Sequence, residues 1–147
     1  MLTAEQLATL EDIHRETFDN FEYVPDPVKW KTPEYWVSVK EVVEMLAEVK
    51  QRGDCEDYAA IVRYKCRLAG IKTRLVFCWV PPQGGQPGGY HIGVEADGWF
   101  SDCNHIFLIE RDRVPYLWIE LSGFAPGETW HYIKPFDPTQ PWPHVAV

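Results

Sequence analysis

The chain has no apolar run near the roughly 20 residues that a membrane-crossing helix needs, so no helical span is expected and no membrane partner. Its opening, Met1-Leu-Thr-Ala-Glu-Gln6, lacks the basic-then-apolar order of a signal peptide, and the expectation is a cytoplasmic protein. Basic residues are few: 14 Lys and Arg stand against 22 Asp and Glu, a net charge of −8. That balance repels phosphate backbones, and no nucleic-acid partner is expected. Cysteines number four, at 55, 66, 78 and 103, with no C-x-x-C pair, which argues against a zinc ribbon or finger. In a reducing compartment each is expected as a free thiol. There is no internal repeat and no long low-complexity linker.

What remains is an ordinary globular composition, 46% hydrophobic and 24% charged over 147 residues. This length predicts one domain, residues 1–147, with a core over about 23–134. Seven Trp, seven Tyr and 12 Pro point to strands and shaped loops. Thr3 and Gln6 form a capping box that opens a helix running to about Asp19. Thr32, Pro33 and Glu34 start a second helix, with Trp36, Val39, Val43 and Leu46 as its core stripe. Gly53 ends it. Asp54 caps a third helix, whose apolar face is Ala59, Val62, Cys66 and Ala69, with Gly70 as its stop. Thr73–Val80 reads as a strand, and a Gly/Pro-rich loop over 81–89 precedes His91. Asp97-Gly98 is a hairpin turn between strands Tyr90–Ala96 and Trp99–Cys103. Further strands are expected near Tyr116–Ser122 and Trp130–Lys134. Helices first and an antiparallel sheet after them make an α+β fold.

Cys55 stands out on the residues alone. At a helix N-terminus, unpaired N–H groups and the dipole favour a thiolate, which is a nucleophile. Asp54, Glu56 and Asp57 oppose that charge, so the site needs a cation, and His91 is the candidate. With a two-residue turn at Asp97-Gly98, paired residue numbers sum to 195. Gly93 then faces Asp102, His91 faces Asn104, and all four side chains share one face. His91 and Asp102 become diagonal neighbours within hydrogen-bond reach, and Gly93 leaves room beside them. A base and its orienting acid are what nucleophile activation requires. The bland alternative is a core thiol and an ordinary strand histidine.

The segment Gly53-Asp-Cys-Glu-Asp-Tyr-Ala59 resembles the nucleophile segment of the bacterial transglutaminase-like cysteine peptidases, within the papain-like and transglutaminase-like superfamily. Trp30-Lys-Thr-Pro33 is similar to the stretch before that family's nucleophile helix, and Phe100-Ser-Asp-Cys-Asn104 to its strand ending in the acid. The likeness spans roughly residues 23 to 104. It implies a papain-like, transglutaminase-type core and a triad of Cys55, His91 and Asp102. It also implies peptide or isopeptide hydrolysis through a thioester, with a protein or peptide substrate. The Cys55 backbone N–H and the Trp30 indole would serve the oxyanion, and Asn104 is the alternative to Asp102 as the residue that orients His91.

No cofactor is required by this reading. Related exported proteases bind calcium through acids flanking the cysteine, and Asp54 and Glu56 match those positions. A mixed metal site of Cys55, Cys103 and His105 is a weaker alternative. Two other functions stay open: acyl transfer to an amine, and a non-catalytic phage or bacterial assembly module that keeps the fold.

Overall fold

A computed structural model describes residues 1–24, 39–47, 50–85, 88–124 and 131–132. Trp30, the Thr32-Pro33 helix start, Trp36 and most of the Trp130–Trp142 tail lie outside the described residues.

The first helix, α1 (Ala4–Asp19), opens on the expected capping box, in which the Thr3 side chain accepts from the Gln6 N–H and Gln6 reaches back. Leu10, Ile13, His14 and Thr17 are its buried positions. That i, i+3, i+4, i+7 spacing lays one face of α1 on the core, with a histidine inside it. Strand β1 (Phe21–Tyr23) follows, then α2 (Val39–Leu46) and β2 (Gln51–Gly53), with β1 and β2 paired in parallel. Such three-residue strands carry too little alternation to be read from sequence. The expected α2 stripe departs at one position: Val42 is buried and Val43 exposed, while Leu46 is half-buried as expected. A Val-Val doublet leaves the phase of a helix ambiguous, and packing decides it.

Helix α3 (Cys55–Leu68) begins where Asp54 predicts, with a second capping box: Asp54 accepts from the Glu56 N–H at 3.1 Å and its own N–H donates to Asp57 Oδ2 at 2.9 Å. Removing such a cap typically costs about 1 kcal/mol. A β-carbon on Gly53 would lie 2.2 Å from Asp57 Oδ2, so glycine there is what lets Asp57 fold back. Ala59, Val62 and Cys66 are buried as expected. Ala69 is the exposed C-cap, and Gly70 leaves the helix at φ +74.

The rest is the six-stranded sheet, ordered β6-β5-β4-β3-β7-β8 and antiparallel at every pairing. Its strands are β3 (Arg74–Val80), β4 (Gly89–Ala96), β5 (Trp99–Ser101), β6 (Ile109–Glu110), β7 (Leu117–Leu121) and β8 (His131–Tyr132). Asp97 and Gly98, at φ 46 and 86, make the expected two-residue turn. The register Ala96↔Trp99, Glu95↔Phe100, Val94↔Ser101 is the one the turn dictates. β5 ends two residues early, because the chain turns at Cys103-Asn104. The expected pairings of Gly93 with Asp102 and of His91 with Asn104 are therefore not part of the ladder.

The sheet is buried on both faces. Leu75, Ile92, Val94 and Ala96 pack with Leu10, Ile13, Cys55, Tyr58 and Val62 from the helices. Val76, Cys78, Phe100, Trp118 and Leu121 form a second cluster. The room expected beside Gly93 is filled: a β-carbon there would lie 2.2 Å from Phe100 Cζ. Gly93→Ala is expected to destabilise the fold by about 1–3 kcal/mol of overpacking, read as a lower urea midpoint, whereas an unchanged midpoint would mean the Phe100 ring has space to move. Among the described residues no helix is long and apolar enough to cross a membrane.

Candidate active site

Cys55 is the first residue of α3, 1% exposed, and the Ile92 backbone hydrogen-bonds to it. Ile92 directly follows His91 in β4, so the thiol meets the sheet one residue from the imidazole. Among the described residues no hydrogen bond joins Cys55 to the His91 ring itself. Thiol–imidazole contacts in resting enzymes are commonly loose and tighten on substrate. Burial pushes the Cys55 thiol well up; the neighbouring Cys103, Asp54 and Glu56 add to this, and the Ile92 hydrogen bond opposes it.

His91 and Asp102 are brought together. The imidazole Nε2 lies 2.8 Å from Asp102 Oδ2, with Asp102 fully buried and His91 nearly so. A carboxylate only accepts, so Nε2 carries the proton. Nδ1 is then the ring atom left to take a proton from a thiol. Two further groups fix His91: the Cys78 thiol donates to its carbonyl at 3.4 Å, and the Tyr116 ring stands edge-on at 5.4 Å. Asn104 lies elsewhere. It is exposed, and its Nδ2 donates to the Tyr116 hydroxyl at 3.3 Å.

Asp102 has a second partner that the sequence reading missed. His105 Nδ1 donates to its Oδ1 at 2.7 Å. Burial alone would raise the Asp102 pKa, but the hydrogen bonds from His105 and His91 prevail and hold it at about 2. Behind His105 lies buried His14, whose Nε2 donates to the His105 carbonyl at 2.8 Å. Burial lowers the His14 pKa, which suits a neutral ring whose Nδ1 accepts from the Ser101 hydroxyl at 2.5 Å, with the Tyr58 hydroxyl 3.2 Å from Nδ1 and donating to the His14 carbonyl. The signal for His105 was its place three residues after Asp102; no local signal marks His14.

The acids matched to a calcium site are Asp54 and Glu56. Both side chains are buried, and Asp54 is engaged in capping. Calcium takes about six or more oxygens, and among the described residues no group of three or more His, Cys, Asp or Glu could hold a metal ion. In the mixed set of Cys55, Cys103 and His105, the His105 Nδ1 is directed at Asp102.

A search of curated proteins finds no match. A solved structure from Cytophaga hutchinsonii, called there a "putative cysteine protease", shares 13% identity at a TM-score of 0.42, over 90% of this chain and 46% of that one. The chain thus spans under half of that neighbour's length. The family model of the transglutaminase-like superfamily matches residues 2–121, from α1 to the end of β7. A helix that opens on Cys55 and packs on an antiparallel sheet carrying His91 beside Asp102 accords with that match, and the chain belongs to the transglutaminase-like superfamily.

Proposed function

We propose that this chain performs thiol-dependent amide chemistry, with hydrolysis of a peptide or isopeptide bond as its reaction. The observation that carries the reading is the buried His91–Asp102 pair, one residue from the point where the Cys55 thiol meets β4. Membership of the transglutaminase-like superfamily supports thiol-based catalysis in general.

In this mechanism His91 Nδ1 takes the Cys55 proton as the sulfur attacks the amide carbonyl carbon. Asp102, ionised far below neutral pH, stabilises the imidazolium and holds the ring through Nε2, which leaves Nδ1 for the thiol proton. The oxyanion lies at the N-terminus of α3, where the Cys55 backbone N–H is unpaired by the helix. Trp30 is the proposed second donor. Collapse breaks the C–N bond, the amine leaves with the proton from His91, and a thioester remains. Water, losing its proton to His91, then releases the acid and restores the thiol.

Acyl transfer needs the same residues, with an amine in place of water. One experiment addresses both. Incubation with p-nitrophenyl acetate should give a single acyl adduct on Cys55, cleaved by hydroxylamine and absent from Cys55→Ala. Turnover in water without added amine supports the hydrolase reading; turnover that depends on a primary amine supports transfer. No adduct on Cys55 together with no turnover overturns both and leaves the non-catalytic module.

A further inference from the structure

We propose that His105 is a positioning residue for the reaction, acting through Asp102 on His91. The inference rests on the proposed thiol chemistry and adds a residue to it.

A carboxylate held through one oxygen can still turn about its Cβ–Cγ bond. Asp102 is held through both, with His91 Nε2 on Oδ2 at 2.8 Å and His105 Nδ1 on Oδ1 at 2.7 Å. Its torsion is thereby fixed, and with it the plane in which His91 must lie to donate. His105 is itself held from two sides. From α1, His14 Nε2 grips its carbonyl at 2.8 Å, and the Tyr116 ring, which also stands against His91, packs on its imidazole at 5.6 Å. The groups facing His105 are thus Asp102, His14 and Tyr116, with His91 across the shared carboxylate. His14 is fixed in turn by Ser101 at the end of β5 and Tyr58 on α3. The chain of contacts runs from α1 and α3 to the acid of the site. The His105 side chain is 28% exposed, so its ring is open to change where Asp102 is not.

The electrostatic part has a definite sign. Its hydrogen bond to Asp102 raises the His105 pKa, and burial only partly opposes this. A neutral His105 donates to Asp102 and leaves the carboxylate's charge to the His91 imidazolium. A protonated His105 shares that charge and makes the imidazolium less favourable. His105 therefore orients Asp102 at all pH values and restrains the site as the medium becomes acid.

The test uses the full chain and iodoacetamide capture of Cys55, read by intact mass and peptide mapping against pH. His105→Phe keeps a ring and removes the donor, while His105→Asn places an amide N–H where Nδ1 stood. H105F is expected to slow capture at neutral pH about tenfold and to move the midpoint up by about one pH unit. H105N should recover to within about threefold of the parent rate, a rescue that a space-filling role would not give. Should H105F fail to fold, H105A carries the same comparison. If H105F or H105A matches the parent, or if the donor-free variant and H105N are equally slow, His105 does not position Asp102. An ordinary thiol profile for Cys55 in the parent protein would instead defeat the proposed function, so the two failures are distinguishable.

Discussion

His91→Gln is expected to slow iodoacetamide capture of Cys55 at neutral pH by about a hundredfold, two pKa units at tenfold each. The size follows from what opposes the thiolate. Cys55 is 1% exposed, and burial with Cys103, Asp54 and Glu56 nearby drives its pKa up. The N-terminus of α3 helps a thiolate by only about 0.3–1 kcal/mol at ordinary sites, too little to offset that burial. The imidazolium has to supply the rest. Glutamine retains an N–H for Asp102 but offers no positive charge, so the urea midpoint should change far less than the capture rate. An unchanged rate would mean that the helix terminus alone activates Cys55.

The second large effect separates Asp102 from Asn104. Asp102→Asn is expected to raise the Cys55 pKa by about one unit or more and to slow capture at least about tenfold at neutral pH. The amide cannot accept well from two imidazoles at once, nor stabilise either by charge. Asn104→Ala should change the rate by less than about twofold, well under half a pKa unit, because Asn104 reaches the Tyr116 hydroxyl and not His91. If the two effects are reversed, Asn104 is the residue that orients the base.

What could be read from the sequence was local. The α1 capping box, the Asp54 cap and the Asp97-Gly98 turn are each set by side-chain chemistry within a few residues, and each stands where it was read. The hairpin turn also fixed the register that brings Asp102 towards His91. Its extrapolation past Ser101 failed, because a ladder implies nothing about where the chain leaves it. The choice of Val43 over Val42 in α2 failed because adjacent valines have equal hydrophobicity, which only packing distinguishes. The β1–β2 pair depends on contacts across 30 residues (Phe21 with Gln51) and has no period of its own. His14 was illegible for the same reason: its partners Ser101 and His105 lie 87 and 91 residues away. On sequence it is a histidine on an apolar helix face, and only the turn at 103–104 makes it part of the site.

The central claim is that a buried thiol is made reactive by its histidine, and residue-resolved alkylation of the parent protein against pH tests it most directly. Exposure alone would favour Cys103, the one of the four cysteines that is not buried. Burial pushes all four thiols up, Cys66 and Cys103 to about 12, so burial alone gives Cys55 no advantage. The account predicts that Cys55 is captured first, with a midpoint well below the free-thiol value of about 8.5, while Cys66, Cys78 and Cys103 lag at neutral pH. Capture of Cys103 ahead of Cys55, with Cys55 titrating at or above that value, would contradict it.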